Sequence, residues 1–243
     1  MSDSFLSQNK DIILVHSSDI HVDDGYTARA NEGDGTKPLL EVIKTAEKVR
    51  ADILLLVGDI FEHNRLANEI IKKAASVICN APMHVVALPG NHDPATPGSP
   101  WHHRAMKKAE NLHILGVTHK QAVLLKELDL EIWGRAHRDY GDMRPLNKPR
   151  SRTSRWQVAL AHGHYEPVVD RKSILRPSWL FSDRDLTATS ADYVALGHWN
   201  RAVRVGDGSV PAYYSGSPDY AKTVNVIRLT KKGKVKVRRR KIS

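Results

Sequence analysis

The sequence has almost no cysteine and no long apolar run, and both absences exclude classes of protein. Cys79 is the only cysteine among 243 residues, which excludes an internal disulfide and favours a reducing compartment. Because Cys79 falls on the helical apolar pattern of Ile71, Ala74 and Ile78, we expect a buried structural thiol and not a nucleophile. No apolar run approaches the length of a membrane span, so we expect no membrane partner.

The start of the chain does not resemble a secretory signal. Residues 1–11 are polar and acidic, whereas a signal is basic and then apolar, so we expect a cytoplasmic protein. Hydrophobic residues make up 41% of the sequence, enough to form a core. We predict a single domain over residues 1–243, because both halves contribute residues that can bind metal. The oligomeric state is not predicted.

Acidic residues are outnumbered by basic ones, 27 against 37, and the excess lies mainly in two places. The net charge of +10 suggests a partner that carries phosphate, with nucleic acid as one candidate. Residues 135–155 hold seven arginines and lysines among prolines and serines, which indicates a loop. Residues 231–241 alternate basic residues with valine, the period of a half-exposed strand. We interpret this tail (231–243) as an edge strand protected by its charges, with a nucleic-acid contact as the alternative.

The first ninety residues predict a βαβαβ unit. Apolar runs at 12–15, 53–57 and 85–88 predict buried strands, and helical periodicity lies between them at 40–49 and 70–78. Strands that alternate with helices imply a parallel sheet with right-handed crossovers. The stretch 23–36, rich in glycine and aspartate, predicts a long loop.

From about residue 112 the pattern changes to short strands with few helices. The strand-like runs cover residues 122–125, 130–133, 156–161, 193–196, 210–214 and 224–229. Residues 179–186 predict a short helical turn at most. The chain as a whole therefore predicts an α/β fold.

Polar side chains that can bind metal follow five of these apolar runs, where ligands bind in open α/β sheets. They are Asp19, His21, Asp59, Asn91, His92, His162, His198 and Asn200. Mixed carboxylate, imidazole and amide ligands suit a divalent ion such as Mn²⁺, Fe, Zn²⁺, Ni²⁺ or Mg²⁺. Because the set exceeds what one ion needs, we predict two ions bridged by one carboxylate. A pair about 3.5–4 Å apart can activate water for in-line displacement at phosphorus.

The order and spacing of these blocks resemble those of the calcineurin-like metallophosphoesterases. The matching blocks are Asp19-Ile20-His21, Gly58-Asp59, Gly90-Asn91-His92-Asp93, His162 and Gly197-His198. Together they cover about residues 12–200. The resemblance implies a four-layer α/β/β/α sandwich with a mixed central β-sandwich.

The same resemblance implies how a first metal would be held. Asp19, His21 and Asp59 would be its ligands, and Asp59 would bridge to a second metal. The last family block usually reads Gly-His-x-His, whereas here Asn200 takes the final position. Since an amide oxygen is a weaker donor than imidazole, we expect this metal to be held less tightly or to be a harder ion such as Mn²⁺.

The second metal would be held by Asp59, Asn91, His162 and His198. His92 would be the acid that protonates the leaving oxygen, a task that suits an imidazole because histidines titrate near neutral pH. His164 is the alternative to His162 as ligand. Asp93 would shape the turn and stay outside the ligand set.

The activity implied is phosphodiester hydrolysis by a hydroxide that bridges the two ions. Residues 58–64 and 214–218 are also similar to the corresponding segments of SbcD-type DNA-repair nucleases, which implies a nuclease or exonuclease. The alternatives are a phosphomonoesterase for a nucleotide, small metabolite or phosphoprotein, and a non-catalytic metal-binding scaffold. Further candidates for contact with substrate phosphate are Tyr26, Arg29, His63, Asn64, His102, His103 and Arg104.

Overall fold

The computed structural model describes residues 10–23, 25–169 and 177–242. Fourteen strands and six α-helices are defined within these ranges. A first sheet of six strands has the order β14-β13-β1-β2-β3-β4. Its strands are β1 (Ile12–Ser17), β2 (Ile53–Val57), β3 (His84–Leu88), β4 (Leu112–Ile114), β13 (Thr223–Leu229) and β14 (Val235–Lys241). The strands β1 to β4 are parallel to one another, whereas β13 is antiparallel to β1 and to β14.

The second sheet also has six strands, in the order β11-β12-β10-β7-β6-β5. These are β5 (Ala122–Leu125), β6 (Leu130–Gly134), β7 (Trp156–His162), β10 (Tyr193–Gly197), β11 (Val203–Val205) and β12 (Ala212–Tyr214). The inner strands β6, β7, β10 and β12 are parallel, and both outer strands run against their neighbours. A short parallel pair, β8 (His164–Tyr165) and β9 (Leu180–Phe181), lies apart from both sheets.

The helices are α1 (Gly25–Ala30), α2 (Lys37–Lys48), α3 (Asn68–Cys79), α4 (Arg104–Lys107), α5 (Asp183–Thr189) and α6 (Pro218–Ala221). Helices α2 and α3 confirm the two helices that the apolar periodicity predicted at 40–49 and 70–78. No helix of the described ranges combines the length and the apolar character that a membrane crossing requires.

Successive side chains of each strand point to opposite faces of its sheet, so each sheet packs against a layer on both sides. In β2, Leu54 and Leu56 face the core beneath α2, α3 and α4, while Leu55 faces the core between the two sheets. Every residue of β2 is buried, as expected for a parallel strand covered on both faces. A third core, which includes Leu186 of α5, covers the outer face of the second sheet. These four layers confirm the predicted α/β/β/α sandwich.

The structure corrects three details of the sequence prediction. Residues 23–36 contain the helix α1 and are not one continuous loop. Residues 179–186, predicted to form a short helical turn at most, run into the helix α5. The first turn of α5 is fixed by a capping box between Ser182 and Asp185. Cys79 is exposed, because it lies about 100° around α3 from the buried Ile78.

The basic C-terminal run is confirmed as an edge strand, β14, which lies outermost in the first sheet. Its two valines are half-buried and its basic residues are exposed, so the predicted alternation holds over its first half.

Candidate metal centre

The predicted metal ligands come together where parallel strands of both sheets end. Asp19, Asp59 and Asn91 lie beyond β1, β2 and β3 of the first sheet. His162 ends β7 and His198 follows β10, which are neighbours in the second sheet. The centre therefore draws on both sheets at their shared carboxyl edge.

The backbone of the centre is strained. Asp19, His21 and Asp59 have φ angles of 53°, 51° and 52°, and His198 has a φ of 108°. Side-chain-bearing residues rarely adopt such values, which persist where the surrounding structure enforces them and which cluster at functional sites.

Glycines let the strands and loops of the centre approach one another closely. A Cβ added at Gly58 would collide with the ring of His162, and one added at Gly90 would collide with the Asp59 carboxylate. At Gly197 it would collide with the carbonyl oxygen of Val57. The glycines of three sequence blocks are therefore required by packing around the ligands.

Among the described residues, three groups of side chains each bring their ligand atoms within 4.8 Å of one another. One contains Asp19, His21 and Asp59, and another contains Asp59, His162 and His198. A third group, His21 with Glu62 and His92, adds a carboxylate that the sequence analysis did not assign to the site. Asp59 belongs to the first two groups, as expected for a bridging carboxylate.

Hydrogen bonds orient the imidazole of His162. Its Nδ1 donates to the carbonyl oxygen of Val57 at 2.9 Å, so Nε2 is turned into the centre. Nε2 lies 3.1 Å from Oδ2 of Asp59 and 3.1 Å from Oδ1 of Asn91. His162 is fully buried and touches two of the other predicted ligands.

The pKa values of His162, Asp59 and Asp19 depend on one another, because these buried groups lie close together. Burial alone would lower the pKa of His162, but the carboxylates of Asp59 and Asp19 raise that pKa to about 9. In turn the His162 imidazole, against the effect of burial, holds the pKa of Asp59 below its usual range. Burial and the neighbouring Asp59 raise the pKa of Asp19 to about 6. The buried carboxylates thus need positive charge beside them, which a divalent cation would also supply.

Asp19 and Asp59 are also held by backbone and hydroxyl donors. The N–H of His198 donates to Asp19 at 3.0 Å, and the N–H of His92 donates to Asp59 at 2.9 Å. The Ser18 hydroxyl donates to Asp19 and lies 2.8 Å from the hydroxyl of Ser215. These contacts position the carboxylates before any ion binds.

Asp93 shapes the turn, in agreement with its predicted role. Its buried carboxylate accepts N–H donors from Gly90, Asp59, Ile60 and Phe61 at 2.7 to 3.2 Å. Asp93 lies in none of the three ligand groups. It ties the loop after β3 to the loop after β2.

The donor set fits a divalent cation. Nδ1 of His21 is buried and lies 2.7 Å from Oε2 of Glu62, yet the two atoms are not aligned as a hydrogen bond. A buried imidazole nitrogen without a hydrogen-bond partner is costly, and coordination to a metal ion would remove that cost. Carboxylate oxygens beside imidazoles are ligands that first-row divalent ions accept.

Asn200 is the only exposed residue among the seven predicted metal ligands, and within the described ranges its side chain makes no hydrogen bond. It lies two residues beyond His198, so its part in metal binding stays a prediction. His164 lies in none of the ligand groups, and its Nδ1 accepts a hydrogen bond from Trp199 at 3.2 Å. The geometry therefore favours His162 over His164.

The other predicted phosphate contacts are dispersed. The His103 imidazole caps α4, and Asn64 donates to Pro94 and Thr96. Residues Arg29, His63 and Arg104 are exposed, and His102 is half-buried. The side chain of Tyr26 lies outside the described part of the chain.

Sequence reasoning missed Glu62, Ser18, Ser215 and His137. Glu62 lies three residues after Asp59, and Ser18 directly precedes Asp19. Their closeness in sequence to predicted ligands is the signal that could have identified them. His137 follows no block; its Nε2 donates to the carbonyl oxygen of His162 at 2.9 Å. Nothing in the sequence near His137 indicates this contact.

Comparison with known proteins assigns the family. The model of the calcineurin-like phosphoesterases matches residues 13–202 of this chain. The chain belongs to the calcineurin-like phosphoesterase family. No curated protein matches it.

Two solved structures show the same fold as this chain. One crystal structure is 15% identical with a TM-score of 0.63, aligned over 96% of this chain and 100% of that chain. The protein TT1561 of Thermus thermophilus is 10% identical with a TM-score of 0.59, over 96% and 100% of the two chains. A structure described as a novel archaeal phosphodiesterase is 14% identical with a TM-score of 0.48, over 94% and 100%.

Proposed function

We propose that this chain is a phosphodiesterase that requires two divalent metal ions, with Mn²⁺ as the preferred ion. The observation that carries the proposal is the sharing of Asp59 between two ligand groups. Asp19 and His21 would complete one metal site, with Asn200 as a further ligand. His162, His198 and Asn91 would complete the other. Two such ions neutralise charge on a phosphoryl group and lower the pKa of water.

His92 would act as the proton donor to the leaving oxygen. Its Nδ1 lies 3.0 Å from the carbonyl oxygen of Glu62, which can only accept, so Nδ1 carries a hydrogen. The proton that His92 exchanges is therefore on Nε2. The side chain is 42% exposed, which leaves it accessible to a substrate, and its backbone N–H donates to Asp59. The same loop thus fixes both the acid and the bridging carboxylate.

His137 and Ser18 would position the ligands and would not touch the substrate. The hydrogen bond from His137 holds the backbone of His162, and the Ser18 hydroxyl holds Asp19. Because the centre takes its residues from both sheets, we also propose that the chain acts as one metallophosphoesterase domain.

The proposal is tested by activity after metal removal and reconstitution. Metal-free protein is loaded with Mn²⁺, Mg²⁺, Zn²⁺ or Ni²⁺ and assayed with bis(p-nitrophenyl) phosphate and with p-nitrophenyl phosphate, with His92→Ala as the blank. We expect metal-dependent cleavage of the diester, fastest with Mn²⁺. A strong preference for the monoester would instead identify a phosphomonoesterase. Absence of cleavage with every metal would contradict the proposed activity.

A further inference from the structure

Trp179 borders the candidate centre, and neither the proposed metal binding nor the proposed proton transfer uses it. Its ring centroid lies 5.6 Å from that of His198 and 5.4 Å from that of His137. His198 is a proposed metal ligand, and His137 holds the backbone of another, His162. The Trp179 residue is half-buried, so it keeps a surface that a molecule bound at the centre can contact.

Hydrogen bonds hold Trp179 in an unfavourable backbone conformation. Its φ angle is 57°, in the left-handed region that a bulky residue rarely adopts. The indole Nε1–H donates to the carbonyl oxygen of Gly141 at 3.0 Å, and the backbone N–H donates to Asp142 at 2.7 Å. The carbonyl oxygen of Trp179 accepts from the N–H of His164 at 3.1 Å. Such strain clusters at functional sites, and here it fixes the ring beside the centre before a ligand binds.

The indole of Trp179 differs from that of Trp199 in its ring contacts. Trp199 is stacked on Tyr214, with ring centroids 4.4 Å apart and planes inclined by only 6°. Among the described residues, Trp179 has edge contacts with two histidines and no stacked ring. Its Nε1–H is already bonded to Gly141, so the indole offers no free donor. An unstacked indole without a free donor suits a planar apolar group better than a hydroxyl or a phosphate oxygen.

The position of Trp179 indicates which part of a phosphodiester would meet it. His92, the proposed proton donor to the leaving oxygen, packs against His21, with ring centroids 4.9 Å apart. His21 belongs to the ligand group that contains Asp19, whereas His198 belongs to a different group. Trp179 and His92 therefore border different proposed metal sites. The ester group beside Trp179 would be the one that stays on phosphorus.

We propose that Trp179 is a specificity-determining residue that stacks on a planar aromatic group of the phosphodiester, on the ester that is not cleaved. This inference rests on the proposed phosphodiesterase function and describes one part of its substrate. Stacking on the indole would lower KM for an aryl ester, because the ring is already fixed and loses little freedom on binding. A small alkyl group would have too little flat surface to gain in the same way.

The test compares two diesters that differ only in the group that remains on phosphorus. Bis(p-nitrophenyl) phosphate and methyl p-nitrophenyl phosphate both release p-nitrophenolate, so the leaving group is the same. The quantity compared is kcat/KM for the aryl ester divided by kcat/KM for the methyl ester, which a partly unfolded sample does not change. It is measured in the wild type, Trp179→Leu and Trp179→Phe. Trp199→Leu is the matched control, because it removes an indole that is already stacked on Tyr214.

We expect Trp179→Leu to reduce this ratio by at least about 5-fold, mainly through a higher KM for bis(p-nitrophenyl) phosphate. Trp179→Phe should keep most of the ratio, since it retains a planar ring. Trp199→Leu should show the wild-type ratio even where it lowers both activities. A wild-type ratio in Trp179→Leu would overturn the inference. An equal loss on both diesters would leave that ratio unchanged and would show that Trp179 only supports the structure of the centre.

Binding of two phosphonates gives a readout that does not require cleavage. Phenylphosphonate and methylphosphonate carry a P–C bond that hydrolysis of an ester cannot break, and their binding to Mn²⁺-loaded protein is measured by isothermal titration calorimetry. The wild type should bind phenylphosphonate at least about 5-fold more tightly than methylphosphonate, and Trp179→Leu should lose this preference. Equal binding of the two by the wild type, or binding of neither, would overturn the inference.

Failure of the proposed function is distinguishable from failure of this inference. If the chain is not a phosphodiesterase, the wild type would cleave neither diester, while its preference for phenylphosphonate and the loss of that preference in Trp179→Leu would still be measured. If only the inference fails, the wild type would cleave both diesters and the ratio would not depend on residue 179.

Discussion

Two groups of histidines lie at opposite ends of the parallel strands of the first sheet. At the carboxyl end, His21 and His92 join Asp59 in the candidate centre. At the other end, Nδ1 of His84 lies 3.1 Å from Nε2 of His113, and Nε2 of His84 lies 3.4 Å from Glu127. Both groups contain histidines beside a carboxylate, so residue type does not distinguish them.

Burial of the carboxylate and backbone strain separate the two groups. The Asp59 side chain is 3% exposed, whereas the Glu127 side chain is 60% exposed. The carboxylates of the centre raise the pKa of His162 to about 9, while burial and neighbouring histidines lower the pKa of His113 to about 4. Left-handed φ angles occur at four residues of the centre, and His84, His113 and Glu127 have none. Buried acid on a strained backbone thus distinguishes the group that we propose to hold a cation from the group at the other end of the sheet.

The largest difference between the two groups should appear when each loses its carboxylate. Asp59→Asn should abolish diester cleavage and weaken metal binding by more than about 100-fold, because the bridging ligand is lost. Glu127→Gln is the matched control and should keep both properties. Turnover of bis(p-nitrophenyl) phosphate with Mn²⁺ measures diester cleavage, and metal analysis after dialysis measures metal binding. Equal losses in the two variants would show that the groups do not differ in function.

Removal of one histidine from each group should give the next largest difference. His92→Ala should lower kcat by about 10²–10⁴-fold, the usual contribution of a general acid, while metal binding is retained. His84→Ala should leave kcat unchanged. Steady-state kinetics and metal stoichiometry of the two variants check this. Loss of bound metal in His92→Ala would make His92 a ligand instead of an acid.

The close packing of the centre predicts an intermediate effect. Gly197→Ala should cost about 1–3 kcal/mol of stability and also reduce activity, because its Cβ would displace the carbonyl oxygen of Val57 and the ring of His162. Gly25→Ala, where an added Cβ meets no atom, is the control. Urea unfolding and diester turnover report the two effects. A Gly197→Ala protein as stable and active as the control would show that the centre is loosely packed.

The smallest effect is expected at the other end of the sheet, as a pH dependence of stability without a change in activity. Because the pKa of His113 is lowered in the folded state, the unfolded state binds more protons between pH 6.5 and about 4. Stability should therefore fall as the pH is lowered through this range. His113→Asn should recover about 1–2 kcal/mol at pH 4.5 relative to pH 7, since the ring is only partly buried.

Urea unfolding of wild type and His113→Asn at the two pH values measures this difference. An identical pH dependence in both proteins would show that His113 does not titrate over the range. Diester cleavage at pH 7 should be the same in the two proteins.

Much of the fold was predictable because local periodicity decides it. Helices α2 and α3 and the buried strands β2 and β3 follow from apolar spacing alone. The helix α1 was missed because a stretch with Gly25, Gly33 and Gly35 has weak helical propensity. Cys79 was misplaced because one position along a helix decides whether a side chain is buried.

The centre was predictable to the extent that its residues follow strands. Asp19, Asp59 and His162 lie at strand ends, where sequence pattern and sheet topology agree. His137 and Ser215 were not predictable, because their contacts are made by loops far apart in the sequence. The contact between the basic segment 135–155 and the loop of Asn91 also required the structure, because the hydrogen bonds of His137 with Pro89 and Ala95 link residues far apart in the sequence.

A crystal structure of the Mn²⁺-loaded protein, with anomalous scattering recorded near the manganese edge, would decide whether two ions share Asp59. We expect two manganese peaks about 3.5–4 Å apart on either side of Asp59. One should contact Asp19 and His21, and the other should contact His162 and His198. A single peak, or a peak held only by His21, Glu62 and His92, would contradict the proposed two-metal centre.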